Sequence, residues 1–218
     1  MIPLSKKVLT FIAMLLLAFS FAGVTAAQSS KIEEGFDYRV LPVPQPVEAK
    51  GKVEVIEFFW YGCPHCYDFE PELSAWVKRQ PKDVVFRRVP VAFRDEFLPH
   101  SQLFYALEAM GKGDSLNEKV MYAIHKENKH LMTESEIADW VASQGIDRNT
   151  FLATYRSFAV VSKTRAARQL ADAYRIDGVP TIVMQGRYVT SPSIAGTKAK
   201  TLLVMDYLEQ KIRKDKYQ

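Results

Sequence analysis

The chain of 218 residues holds two cysteines, three positions apart, in the run Cys63-Pro64-His65-Cys66. Thiols at that spacing can close into one disulfide, and can attack, leave and resolve in thiol–disulfide exchange. As a structural staple the bridge would be weak, because closing so short a loop removes little entropy from the unfolded chain. A bridge that adds little to folding, with no other pairing available, points to redox chemistry. Zinc is the competing thiolate chemistry, since Cys63, Cys66, His125 and His130 make a two-cysteine, two-histidine set on paper. The gap between the two pairs is far longer than zinc-finger spacing. No metal is expected.

The neighbours of the pair indicate how the sulfurs are held. Lys52 to Trp60 (KVEVIEFFW) is rich in β-branched and aromatic residues and reads as a buried strand. Pro64 suits a first helical position, where no N–H is needed. A helical pattern then runs to about Arg79, with Pro71 inside it expected to kink it. A strand feeding C-x-x-C into a helix places the first sulfur where the unsatisfied amides of His65 and Cys66 converge, and there the anion is favoured. Cys63 is therefore read as the exposed attacking and leaving sulfur, and Cys66, deeper in the turn, as the resolving one. His65 adds a ring whose protonated form would stabilise the thiolate further. A thiol pKa lowered by about two units corresponds to about 2.7 kcal/mol. For a two-electron couple that is about 60 mV toward oxidising power. Such a centre gives its disulfide away.

The rest of the chain supplies the frame. Residues 28–52 carry Pro42, Pro44 and Pro46 on alternate positions and read as extended chain or an edge strand, without chemistry. Val84 to Val91 is a second strand. From about His100 to Ala173 the pattern turns helical. Leu103, Leu107 and Met110 share one face, and Val120, Ile124 and Leu131 a second. Ile137, Trp140 and Val141 form a third, opened by the capping-box pattern Thr133-x-x-Glu136. A final long helix of this block is expected over about Phe158 to Tyr174. Strand character returns at Pro180 to Met184, and Gln185-Gly186-Arg187 reads as a hairpin turn into Tyr188-Val189. Lys198 to Lys214 closes the chain as an amphipathic helix. The order describes an α/β domain, residues 28–95 and 163–218, interrupted by an all-α insertion over 96–162.

At the N-terminus Lys6 and Lys7 precede an apolar run from Val8 to Ala22, and the small residues Gly23 to Ala27 follow. That is the pattern of a secretory signal peptide over residues 1–27, cleaved after Val24-Thr25-Ala26 or Thr25-Ala26-Ala27. The stretch approaches the roughly 20 residues that span a bilayer, but its second half is small rather than greasy, which favours cleavage over anchoring. No cysteine lies near it, which argues against a lipid-anchored lipoprotein. The mature chain is long enough for one large domain with a real core. Composition is ordinary for a globular protein, with 48% hydrophobic and 25% charged residues. Lys6 and Lys7 supply two of the formal net charge of +4, so nucleic acid and anionic membrane are not expected partners. Export implies an oxidising compartment.

The run from Glu57 through Phe58-Phe59-Trp60-Tyr61-Gly62-Cys63-Pro64-His65-Cys66-Tyr67-Asp68-Phe69 to Glu70 resembles the active-site segment of the DsbA family, bacterial periplasmic thiol:disulfide interchange proteins. Gly178-Val179-Pro180-Thr181 resembles that family's cis-proline loop. The resemblance runs through most of the mature chain and implies a thioredoxin fold with an inserted all-helical domain. It makes Cys63, Pro64, His65 and Cys66 the redox-active segment. It implies a cis bond between Val179 and Pro180, both facing the disulfide, with the Val179 backbone pairing with the substrate chain. Glu57 shares a strand face with Val55 and Phe59 and, on alternation alone, could equally be a glutamate reaching water. The resemblance places it beneath the buried cysteine, assisting its proton transfer. Burial would raise its pKa, which suits a proton acceptor near neutrality. The family is a known case of a very acidic cysteine and a strongly oxidising disulfide, and the resemblance implies both here. It also implies a periplasmic location, reduced unfolded exported polypeptides as clients, and no bound cofactor. Reoxidation would then fall to a DsbB-like, quinone-linked partner in the inner membrane.

Other candidates receive plainer readings. Arg87 and Arg88 read as surface charge, with neutralisation of Glu57 as the alternative. His100, His125 and His130 read as polar surface residues of the helical block, and Trp60 as core, with a substrate-facing role open to both Trp60 and Tyr61. A lone C-x-x-C needs no second subunit, so a monomer is expected. Two rivals remain. A disulfide isomerase or reductase on the same fold would have a potential near thioredoxin's, yet isomerases of this broad group carry a dimerisation domain before the redox domain, and here only residues 28–52 intervene. A peptide-binding chaperone with a structural disulfide would keep its activity in a Cys63→Ser variant.

Overall fold

Val53–Phe59 is the strand its composition predicts, and it is buried along its whole length between two neighbours. The computed structural model describes residues 31–216; the expected signal peptide, residues 1–27, lies outside the described residues. Contacts divide the chain into Met1–Lys31 and a second unit beginning at Ile32, to which every element named below belongs. The strands are β1 (Arg39–Val40), β2 (Val53–Phe59), β3 (Val84–Pro90), β4 (Thr181–Met184) and β5 (Tyr188–Thr190), in sheet order β1-β5-β4-β2-β3. β2 and β3 pair in parallel, and the other three pairings are antiparallel. A parallel pair needs a crossover, and α1 (Pro64–Lys78) supplies it, running on through Pro71. The lead-in contributes β1, an edge strand, as one of its two readings anticipated.

The β4–β5 hairpin turns where expected. Gln185 and Gly186 both have positive φ, 52° and 62°, and Arg187 N–H donates to Met184 O at 3.1 Å. Two successive residues in that region make a type I′ turn, whose twist suits a hairpin. A Cβ at Gly186 would meet Gln45 O at 2.2 Å, so the glycine also admits the lead-in, whose Gln45 N–H donates to Gly186 O at 2.8 Å.

A short 3-10 helix (Asp95–Phe97) and five α-helices separate β3 from β4: α2 (Leu98–Ala109), α3 (Gly113–His125), α4 (Glu134–Ser143), α5 (Arg148–Tyr155) and α6 (Phe158–Ala173). The capping box at Thr133 and Glu136 is formed as its pattern predicts. Two details differ from expectation. Leu131 does not belong to the second helix, which ends at His125; it is buried in the following loop with φ 52°. α5 escapes the periodicity because it buries two residues, Phe151 and Tyr155, though Asp147 caps it by accepting from Thr150 N–H at 2.8 Å. After β5 come the single turn α7 (Pro192–Ala195) and the terminal α8 (Lys198–Lys216).

Strand alternation sorts the core. Val53 and Val55 pack with Phe69, Leu73 and Trp76 of α1 and with Val204, Met205 and Leu208 of α8. Ile56 and Phe58 point the other way, against Ala167 and Ala171 of α6. A third cluster fills the helical block and reaches Phe59, Tyr61 and both cysteines. Glu57, an odd-numbered strand residue, thus joins the α1 side. The whole is a thioredoxin fold with an inserted all-helical domain, and α1 packs on the sheet through Phe69, Leu73 and Trp76 while its N-terminal cysteines meet the helical cluster.

Candidate active site

β2 ends at Phe59, and the chain turns once before α1. Cys63 N–H donates to Trp60 O at 3.0 Å, closing a four-residue turn over Tyr61 and Gly62. Cys63 is the N-cap residue, extended at φ −83° and ψ 116°, with Pro64 in the first helical position. Both thiols are free. Cys66 is fully buried as expected, but Cys63 is more covered than the exposed sulfur the sequence led us to expect, at 7% exposure. The cover is the loop before β4. Its Val179–Pro180 bond is cis, and the Cys63 thiol donates to Val179 O at 3.4 Å. A cleft of about 500 Å³ opens beside them, lined by His65, Asp68, Val179, Pro180, Thr197 and Lys198.

The surroundings drive the two thiols apart. Cys63 is lowered to about 6, chiefly because the Cys66 thiol donates to its anion, and then because the amides of Cys66 and His65 and the charge of His65 favour it over the opposing effect of burial. Cys66 is raised far above an ordinary thiol, first by burial and then because it is the donor to the Cys63 anion. The first sulfur is the stable anion; the second holds its proton.

Beneath them lies a charged floor that was only partly foreseen. Glu57 is fully buried, and burial pushes its carboxyl up to about 7 against the pull of Arg88. Arg88 is not the surface charge expected of it. Its Nε donates to Glu57 Oε2 at 2.8 Å and its Nη2 to both oxygens of Glu70, at 2.7 and 2.9 Å. The reason is register: Arg88 stands directly opposite Glu57 across the parallel β2–β3 pair. Glu70 joins them from α1, one helical turn past Cys66 on the buried face. Arg87 also departs from a free surface position, lying 3.6 Å from buried Glu54. Glu57 Oε1 is buried without a hydrogen-bond partner, which leaves a place for a proton.

The histidines and aromatics also correct the sequence reading. His100 is buried rather than on the surface, with Nε2 on His130 O at 2.9 Å, because α2 turns it into the core beside Trp60 and Tyr61. His125 is half-buried, with Nε2 on Tyr61 O at 2.8 Å; His130 is exposed as expected. Trp60 is half-buried rather than core, its ring 4.1 Å from that of Phe97 and packed against the helical cluster. Tyr61 is buried. The zinc set is not assembled: among the described residues no group of three or more His, Cys, Asp or Glu is placed to hold a metal ion.

A thioredoxin-type sheet presenting two thiols of opposite acidity to a cis-proline loop defines a dithiol–disulfide oxidoreductase. Comparison with known proteins agrees. A family model described as DSBA-like thioredoxin domain matches residues 96–204. The thiol:disulfide interchange protein DsbA of Burkholderia cepacia is 47% identical over 196 residues, 89% of this chain and 92% of that one. The protein of the same name from Pseudomonas aeruginosa is 44% identical over 201 residues, 92% of this chain and 94% of that one. The crystal structure of Pseudomonas aeruginosa DsbA superposes with a TM-score of 0.82 at 43% identity, covering 86% of this chain and 97% of that one. The chain belongs to the DsbA family of thiol:disulfide oxidoreductases.

Proposed function

We propose that the protein passes its Cys63–Cys66 disulfide to reduced, unfolded polypeptides that have been exported to the periplasm. The opposed acidities of the two thiols carry this reading, since they make the dithiol form comfortable and the disulfide a good donor. A client thiolate attacks Cys63 Sγ, the S–S bond breaks toward Cys66, and the electron pair leaves on Cys66 Sγ. That sulfur does not stay anionic in its dry site, so it takes a proton, and Glu57, poised near neutrality, is the group to give one. Cys63 carries no S–H in the disulfide or in the mixed disulfide, so the Val179 carbonyl, 3.4 Å from its sulfur, is open to a client N–H in both. A second client thiolate then attacks the client sulfur, forming the client disulfide and expelling Cys63 as a thiolate. Two electrons pass from client to protein.

His65 favours that thiolate through its amide and its charge. Pro64 starts the helix without a wasted N–H, and Pro180 closes the cleft beside the sulfur. Reoxidation is assigned to a DsbB-like, quinone-linked protein of the inner membrane, and the protein acts as a monomer without a bound cofactor. The insertion is taken as residues 96–162 between thioredoxin parts 28–95 and 163–218. This division is supported by α6, whose Val160 packs in the helical cluster while Ala167 and Ala171 pack on the sheet. No helix among the described residues is long and apolar enough to cross a membrane.

Equilibration with glutathione buffers tests the direction. A donor stays largely dithiol in mildly oxidising mixtures and has a wild-type Cys63 titrating well below an ordinary thiol at about 8.5. A potential near thioredoxin's would make the protein a reductase instead.

A further inference from the structure

We propose that His125 is a positioning residue for the redox turn: its Nε2–H holds the Tyr61–Gly62 peptide unit in the one orientation that sets Cys63 at the helix tip. The inference rests on the donor function above and adds a duty for the helical insertion. His125 is the last residue of α3, and its Nε2 lies 2.8 Å from Tyr61 O. A carbonyl can only accept, so Nε2 carries the hydrogen. The imidazole also stacks on Tyr67, the residue after Cys66, with ring centroids 5.0 Å apart and planes at 24°. One side chain thereby touches both flanks of the Cys63–Cys66 segment. Earlier on α3, Asn117 Oδ1 accepts from the Tyr61 hydroxyl, so the same helix holds Tyr61 at its ring end and at its backbone.

The turn needs this help. Cys63 N–H to Trp60 O closes a four-residue turn whose central peptide joins Tyr61 to Gly62. Type I and type II turns differ mainly by rotation of that peptide, and type II requires positive φ at the third residue, where glycine is favoured. Gly62 leaves both open sterically, yet it is absent from the glycines with positive φ. Its presence has another cause: a Cβ there would lie 2.4 Å from the Trp60 ring. The turn's own residues therefore do not select the observed orientation. The His125 hydrogen bond does, because a rotated peptide would carry the Tyr61 carbonyl away from the imidazole. A freed turn lets Cys63 wander from the amides of His65 and Cys66 and from the Cys66 thiol, and the stabilisation of its anion falls.

The experiment compares wild type, His125→Ala and Ile124→Ala in full-length protein by thiolate absorbance titration of Cys63, glutathione equilibrium and thermal melting. His125→Ala is expected to raise the Cys63 titration midpoint by about half to one pH unit and to move the glutathione equilibrium about three- to tenfold toward the disulfide. Ile124→Ala, which trims the same core cluster and removes no hydrogen bond to the Tyr61–Gly62 peptide, is expected to lower the melting temperature and leave both readouts at wild type. A wild-type midpoint in His125→Ala, or an equal shift in Ile124→Ala, overturns the proposal. Should His125→Ala not fold, His125→Gln keeps an N–H donor for Tyr61 O and should titrate as wild type; a raised midpoint there counts against the hydrogen bond. An ordinary thiol in the wild-type protein would instead sink the donor function, so the two failures are distinct.

Discussion

The tip of α1 and the floor beneath it treat the same chemical group in opposite ways. At the tip, Cys63 has donors around it, the Cys66 thiol and two helix amides, with the charge of His65 beside them. On the floor, Cys66 meets burial and the negative charge of Glu57. Neither cysteine is special by type. The contrast shows that the acidity of a thiol is decided by which partners can donate to its anion within a few ångströms, and that burial alone does the reverse. Glu57 illustrates the second half again, since Arg88 holds it directly and burial still wins.

The contrast can be broken most severely at the tip. Cys63→Ser should abolish disulfide transfer to a reduced peptide by a factor on the order of a thousand or more, whereas Cys66→Ser, which has no disulfide to give, should attack a peptide disulfide through Cys63, expel one peptide thiolate, and hold the mixed disulfide that residue 66 can no longer resolve. Retained transfer in Cys63→Ser would make the bridge structural. On the floor, Arg88→Met leaves Glu57 and Glu70 without their cation. It should cost about 3–5 kcal/mol in urea unfolding, the penalty typical of orphaning a buried charge; a loss under about 1 kcal/mol would mean the ion triad is solvated.

A pH series separates the two regions. Cys63 loses its proton near 6 in the folded dithiol and near the ordinary 9.0 when unfolded, so between those values the unfolded chain binds more protons. The stability this lends the dithiol form is present above the unfolded value and is lost as pH falls through 6. The disulfide form has no such group, so the stability difference between the two forms should shrink by about 2–3 kcal/mol from pH 8 to pH 5. A gap independent of pH would refute an acidic Cys63. Glu57 has the opposite sign. Its folded value, about 7, exceeds the ordinary 4.5, so its contribution to stability falls as pH rises between them. Glu57→Gln should therefore gain about 1–2 kcal/mol at pH 8 and little at pH 4, while slowing disulfide transfer.

Local signals carried the tip. The C-x-x-C pair, Pro64 in first position and the strand before them are written in consecutive residues, and the Val179–Pro180 loop was reached through family resemblance. The floor was legible only in part, because its partners meet through pairing that no local window records. Arg88 looks like any charged residue until β3 is set against β2 in one register. Glu70 had a readable signal, an acid one turn past Cys66 on an otherwise apolar face. His100 carries a readable signal as well, three residues before Leu103 on the face that also holds Leu107. The half-burial of His125 comes instead from how the end of α3 lies against the active-site turn.

The pairing of β2 with β3 has a consequence for how errors in folding would show themselves. Side chains alternate sides along a strand. If β2 slipped one residue along its neighbours, Phe58 would lie under Cys66 and the carboxylate would face Ala167 and Ala171 of α6. A mispaired sheet would thus bring a greasy ring to the sulfur and a charge to an alanine-lined helix. The same backbone ladder that holds the strands together also proofreads the site, because a molecule with the wrong side chain beneath Cys66 is also one with a misfitted core.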